Sequence, residues 1–175
     1  TQTPTDDDYG ANAMVISGSH HEVSYNLAER LVAMSYDYGV DGGFCEIYSS
    51  NGSLTDLFIH HNIVRDSDGF SETGGQLYMG ARSSVSNVTY AYNLSVHNLG
   101  FLTLHNAASG NFDIDHANFV MENNTIVELV AGGGKIVWMP QGASPTPSML
   151  VVRNNLIRSA MNTSLFSKSG FTHLN

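Results

Sequence analysis

Cys45 is the only cysteine in this 175-residue chain, so no internal disulfide framework exists and packing and hydrogen bonds must hold the fold. Charge is scarce as well: Asp, Glu, Lys and Arg make up 13% of residues, against a usual share of about 25%. Basic groups are the rarer kind, 7 against 16 acidic, for a formal net charge of −9. That balance argues against a nucleic-acid backbone as partner, which needs clustered Lys and Arg. No apolar run approaches the ~20 residues of a membrane span. No signal peptide is visible, as expected of a mature or truncated chain. Polarity comes instead from neutral residues, with 20 Ser, 17 Gly and 16 Asn. Hydrophobic residues still reach 42%, enough for a sizeable core and too many for global disorder.

Long hydrophobic runs give way to an internal repeat whose segments lack helical periodicity. Asn62, Asn93, Asn124 and Asn155 each stand 31 residues apart. Five and three positions before them lie Leu57/Ile59, Val88/Tyr90, Phe119/Met121 and Leu150/Val152. Such alternation is the period of a strand with one buried face. A weaker copy, Val23-Ser24-Tyr25-Asn26-Leu27, lies 36 residues upstream of Asn62. The second landmark is a Gly-Phe step. Gly69-Phe70 and Gly100-Phe101 are again 31 apart, and Gly43-Phe44 and Gly170-Phe171 read as shifted copies. Strand-like runs follow, among them Cys45-Glu46-Ile47-Tyr48, Leu102-Thr103-Leu104-His105 and Ile136-Val137-Trp138-Met139.

Short strands joined by corners cannot bury a face alone, whereas stacking the repeats ~4.8 Å apart buries a continuous core. No helix-forming linkers are present to support a doubly wound sheet. The expected fold is therefore all-β: a right-handed parallel β-helix solenoid of about five to six coils spanning residues 14–175, preceded by a polar tail or linker over 1–13. The anchor asparagines are expected at inward corners, where each side-chain amide bonds the backbone and the amide of the next coil. Residues 170–175 stop where another rung is due, so the chain is expected to be part of a longer solenoid or to be capped by a neighbour. The segment Asn26 to Met34 is open to two readings, a helix with Leu27, Leu31 and Met34 on one face or an ill-matched first coil.

The Asn62-Ile63-Val64 and Asp68-Gly69-Phe70 rungs resemble the repeats of pectate-lyase-like carbohydrate-active proteins, over roughly residues 14 to 175. The resemblance implies a secreted or cell-surface protein with a polysaccharide as partner. It does not fix an activity, because the superfamily holds lyases, glycoside hydrolases, tailspikes and adhesins. The hydrolase branch carries Asn-Thr-Asp, Asp-Asp, Gly-His-Gly and Arg-Ile-Lys patterns. This chain offers only Asp66-Ser67-Asp68-Gly69, which argues against inverting pectin hydrolysis. In the lyase branch a cation, often Ca²⁺, or an amide neutralises the uronate while Lys, Arg or a His/Tyr pair removes the α-proton. Ca²⁺ is thereby a candidate cofactor, and Arg65, Arg82, Lys135, His105 and Tyr78 are the available groups. Lys135, after Gly132-Gly133-Gly134, reads as a solvated corner.

The repeat exceeds what three short strands need. Its surplus falls before each anchor strand, in 49–56, 80–87, 107–118 and 140–148, and surplus at a common point maps to a common edge of a solenoid. Asp56, Asn87 and Asn118 close three of these stretches as turn residues. Aromatic faces beside fixed polar groups suit sugar rings, and Tyr48, Tyr78 and Trp138, with Arg82, are the expected substrate-binding residues. Aligning the Gly-Phe steps puts Glu46 and Glu72 at one offset on consecutive coils, about 5 Å apart. Retaining glycosidases use about that separation for an acid and a nucleophile. Glu46, Glu72, Asp68 and His105 are the catalytic candidates.

Other motifs carry less. Asp113-Ile114-Asp115-His116 supplies too few oxygens for Ca²⁺, so no metal site is assigned. The doublets His20-His21 and His60-His61 are expected to point one ring each way along a strand and to form no chelate. Cys45, between Phe44 and Ile47, reads as packing. Asn51 and Asn162 head the accessible glycosylation sequons. Two functions follow as expectations: a carbohydrate-active solenoid that binds and cleaves a polysaccharide as lyase or hydrolase, or a non-catalytic structural or adhesive solenoid that associates end to end or as a trimer.

Overall fold

The computed structural model describes residues 11–32, 34–35, 39–40, 42–50, 52–76, 79–105, 114–129, 135–139, 146–159 and 164–168. Strands recur along them in triplets. The first triplet is β1 (Ala11–Ile16), β2 (His21–Ser24) and β3 (Leu27–Glu29). A short antiparallel ribbon follows, β4 (Met34–Ser35) with β5 (Gly39–Val40). Then come β6 (Gly42–Ser49), β7 (Ser53–His60) and β8 (Ile63–Arg65), and after them β9 (Ser71–Gly75), β10 (Ser83–Ala91) and β11 (Leu94–Val96). The pattern continues through β12 (Gly100–Leu104), β13 (Ile114–Glu122) and β14 (Thr125–Glu128) to β15 (Lys135–Met139), β16 (Leu150–Arg153) and β17 (Leu156–Ser159), with β18 (Ser164–Lys168) beyond. No helix occurs among the described residues.

Like members of each triplet pair in parallel. Sheet 1 has the order β1-β6-β9-β12-β15-β18, sheet 2 the order β16-β13-β10-β7-β2, and sheet 3 the order β17-β14-β11-β8-β3. The molecule is a parallel β-solenoid. Five strands in a file make about four turns from first to last, slightly fewer than the five to six coils expected. Leu27–Glu29 resolves the open segment in favour of a first coil, because Ala28 falls into the inward file of Val64.

The asparagine file forms as the repeat implies. Asn62 Nδ2 donates to Asn93 Oδ1 at 3.1 Å, Asn93 Nδ2 to Asn124 Oδ1 at 2.9 Å and Asn124 Nδ2 to Asn155 Oδ1 at 2.9 Å. Each Oδ1 also accepts the backbone N–H of the asparagine below it. The remaining amide hydrogen goes to a carbonyl of the preceding coil, as from Asn93 to Ile59 O at 2.9 Å. Every polar atom of a buried amide is thereby used, which is the condition for burying it.

Before each anchor the backbone turns left-handed, at Tyr25, His61, Tyr92, Asn123 and Asn154, with φ between 54° and 59°. A second such file, His20, Asp56, Asn87 and Asn118, lies in or just before the strands of sheet 2. Among the described residues, the strands of sheet 2 already begin inside three of the stretches expected as surplus loops, over 53–56, 83–87 and 114–118. Leu54 and Val85 within them are buried, as are Leu57 and Val88 just beyond, and that gain draws the backbone into the sheet. The same kink corrects the reading of His60-His61. With His61 at φ 55° the doublet does not alternate, and the two Nδ1 atoms face each other at 2.8 Å.

Phe70 and Phe101 stack at the corner into sheet 1 with centroids 4.5 Å apart; Phe44 meets Phe70 edge-on at 5.5 Å, and Tyr90 packs edge-on against Phe70 and Phe101. All four are fully buried. Each is worth roughly 1.5–3 kcal/mol of burial. At this corner Gly43 has φ 148°, and a Cβ there would lie 2.4 Å from Gly69 O. Only glycine fits.

Candidate functional site

Sheet 1 places its alternate residues in two outward files. One runs Val15, Glu46, Glu72, Thr103, Trp138 by Cα pairing across β1, β6, β9, β12 and β15. In the second, Tyr48 pairs with Gly74. Glu46 and Glu72 are direct partners on neighbouring strands, one strand spacing or about 4.8 Å apart. The Gly-Phe alignment that stacks them holds.

The chemistry around this pair is specific. Asn12 Nδ2 donates to Glu46 Oε2 at 2.9 Å, and Asn12 Oδ1 is buried without a hydrogen-bond partner. His105 follows β12 and brings its Nε2 to 3.8 Å from Glu72 Oε2; only 14% of one side chain and 15% of the other is exposed. A Cβ on Gly74 would meet the Tyr48 ring at 2.8 Å and Glu46 Oε1 at 3.1 Å. Gly74 thus marks where a ring and a carboxylate lie flat on backbone, a use of strand glycine that the Gly74-Gly75 pair could have signalled. Trp138 carries the Lys135 ammonium 3.5 Å from its ring centroid, a cation–π contact. Partial burial lowers the Lys135 pKa. Lys135 is therefore the first residue of a strand, seated on an aromatic face, and not a solvated corner.

Behind the face lies a polar link that the sequence reading missed. Thr73 Oγ1 accepts the backbone N–H of His105 at 3.1 Å and stands 2.8 Å from His116 Nε2. His116 points inward, in the file of Leu54 and Val85. Its Nδ1 is buried and unpartnered. Burial, helped by the charges of His105 and Arg82, lowers its pKa from 6.5 to about 3. On the other side of β6 the Cys45 thiol is buried and pushed up to about 12, chiefly by desolvation, with Glu46 and Glu72 adding to the rise. A thiol so held is packing and not a nucleophile.

The remaining expected residues lie elsewhere. Arg82 precedes β10 and is tied at the corner: its Nε donates to Asp115 Oδ1 at 2.8 Å and its Nη2 to Ile114 O at 3.0 Å. Asp68 sits on the turn before Gly69, its N–H donating to Leu31 O at 3.1 Å. Tyr78, Asn51 and Asn162 fall outside the described residues. So Glu46, Glu72, Tyr48, His105 and Trp138 share one face, and Arg82 and Asp68 do not join them. Among the described residues no group of three or more His, Cys, Asp or Glu is arranged to hold a metal ion, and no helix is long and apolar enough to cross a membrane.

Compared with known proteins, the chain matches no family model, no curated protein and no solved structure.

Proposed function

We propose that this chain is an extracellular carbohydrate-active β-solenoid of the pectate-lyase-like kind, which binds a polysaccharide along the outer face of sheet 1 and cleaves it as a lyase or glycoside hydrolase. One observation carries the reading: Glu46, Glu72 and His105 gather on the same sheet face as Tyr48 and Trp138. A rigid β-sheet fixes the spacing of acid, base and ring-stacking groups, which is what positioning a sugar requires. Two carboxylates one strand apart match the acid–nucleophile separation of retaining hydrolysis. His105, oriented by Glu72, is the alternative proton acceptor for elimination. The test is Glu72→Gln and His105→Ala assayed against a polysaccharide panel, with unsaturated and reducing-end products separated. Loss of turnover in either variant supports the assignment. A parent chain that turns over none of the panel defeats it.

A non-catalytic structural solenoid is the second reading, and a different face supports it. The outward file of sheet 3 runs Leu27, Ile63, Leu94, Thr125, Leu156. Leu27, Ile63 and Leu156 are exposed by 63%, 41% and 67%. Exposed apolar rows are where copies associate. Light scattering on the chain and on Leu156→Glu tests it: self-association that the charge abolishes favours this reading, and a monomer in both cases removes it.

A further inference from the structure

Resting on the carbohydrate reading above, we infer that the sheet 1 face takes a glycan bearing free amino groups, a glucosamine-type polymer, in preference to a uronate. Two carboxylates, both acceptors when ionised, dominate the upper part of this face. Glu46 and Glu72 are stacked partners on β6 and β9. Asn12 donates an amide hydrogen to Glu46, and its own oxygen is buried with no hydrogen bond. A carboxylate accepts only, and an ammonium donates three hydrogens and accepts none, so the two fit.

Three of the described arginines are committed to other places. Arg82 is bonded to Asp115, Arg65 to Glu29 and Arg153 to Glu122, on the corners and on sheets 2 and 3. Among the residues whose side chains are described, the cations on this face are Lys135, which lies on Trp138 two strands beyond Glu72, and, when protonated, His105 beside Glu72. A uronate laid across Glu46 and Glu72 would set carboxylate against carboxylate at about one strand spacing. The formal net charge of −9 repels polyanions before contact and draws polycations.

Shape completes the recognition. The Tyr48 ring and the Glu46 carboxylate both lie over the bare backbone of Gly74. One sugar unit can therefore put its apolar face on the tyrosine while its ammonium meets the carboxylates.

The experiment is calorimetric titration of the full chain at about pH 5.5, where an amine is charged and a glutamate ionised. The probes are β-1,4-linked glucosamine tetramer, the same tetramer fully N-acetylated, and tetragalacturonate. We expect the amino tetramer to bind roughly tenfold or more tighter than its acetylated twin, and added salt to weaken it. Glu46→Gln and Glu72→Gln should each remove most of that margin, weakening the amino tetramer far more than the acetylated one. Gly74→Ala, whose new methyl displaces Tyr48, should weaken both. Equal affinity for the two tetramers, or tighter binding of tetragalacturonate, overturns the amino-sugar inference and leaves the carbohydrate reading standing. No heat with any of the three, nor with a neutral glucan, overturns both.

Discussion

Asn93 Nδ2 donates to Asn124 Oδ1 at 2.9 Å, one coil further along, while Asn93 Oδ1 accepts both hydrogens that Asn62 presents, from its backbone and its side chain. The relation repeats along the file, so each amide is the partner of the next. Fold and cohesion are here the same interaction: the bond that sets the coil spacing also satisfies the polar groups the coil buries.

Asn93→Ala should therefore cost more than one hydrogen bond. It strands the Asn62 N–H groups and the Ile59 carbonyl in a buried corner. Each buried unsatisfied group costs about 1–3 kcal/mol, so urea unfolding should show a loss of roughly 3 kcal/mol or more. Asn26→Ala, at the exposed end of the file, should cost under about 1 kcal/mol. Equal losses at the two positions would show that the ladder contributes no cooperative stability.

The left-handed files make a second prediction, of opposite sign. Arg30 is exposed and held at φ 54°. The left-handed conformation costs an ordinary L-residue about 1–2 kcal/mol, which Asn largely and Gly wholly escape. Arg30→Gly should raise the unfolding free energy by about 0.5–1 kcal/mol after the greater unfolded-state entropy of glycine is subtracted. Asn118→Ala, the converse change at φ 56°, should lower it by a similar amount, also losing its bond to Asn87. Thermal melts of both variants against the parent decide the sign.

Which parts of this molecule were legible follows from the same geometry. Four of the five ladder asparagines recur at one spacing and announce the fold, while Asn26 bonds Asn62 across a longer coil of 36 residues. The Gly-Phe step was readable because Gly43 meets Gly69 O so closely that no other residue fits, and it carried Glu46 and Glu72 into alignment although their spacing differs from that of the later coils. Other features lack a periodic cause. His61 looks like any strand residue until its backbone turns left-handed, and then His60 Nδ1 meets its Nδ1 while His60 Nε2 faces Glu22 Oε1 at 2.9 Å. Glu22 is held below its ordinary pKa by Ser24 and His60. The length of the sheet 2 strands was hidden by Asp56, Asn87 and Asn118, whose usual place is a turn and whose place here is inside or beside a ladder. His116 stood in a motif that reads as ligand chemistry and turns inward instead, half-buried in the file of Leu54 and Val85, because its strand position, not its residue type, decides the face.

Gly43→Ala tests the corner that organises sheet 1. Its Cβ would sit 2.4 Å from the Gly69 carbonyl oxygen and 2.8 Å from the carbon, both backbone atoms of the stacked coil, at φ 148°. Neither can yield without opening the bond from Phe44 N–H to Gly69 O. The variant should lose at least about 3 kcal/mol, in the range of severe backbone defects. Gly80→Ala is the control: φ is 78°, but no atom lies within 4 Å, so only the local conformational cost of about 1 kcal/mol should appear. Denaturant midpoints of the two variants separate a steric clash from backbone strain.

His116 makes the solenoid acid-labile. In the folded chain burial holds its pKa at about 3, and in the unfolded chain it returns to about 6.5. Between those values the unfolded state binds the extra proton, so lowering the pH favours unfolding; the stabilisation is whole above pH 6.5 and drains away as the pH falls toward 3. At pH 4.5 the loss from this one group is about 3 kcal/mol relative to neutral pH. His116→Leu keeps an apolar filler in the file of Leu54 and Val85 and leaves Thr73 its contacts with His105 N–H and Thr103 O. Its unfolding free energy should fall about 3 kcal/mol less than the parent's between pH 7 and pH 4.5. If urea titrations at the two pH values give parallel losses in parent and variant, the acid sensitivity belongs to other groups and the imidazole is not kept neutral by its burial.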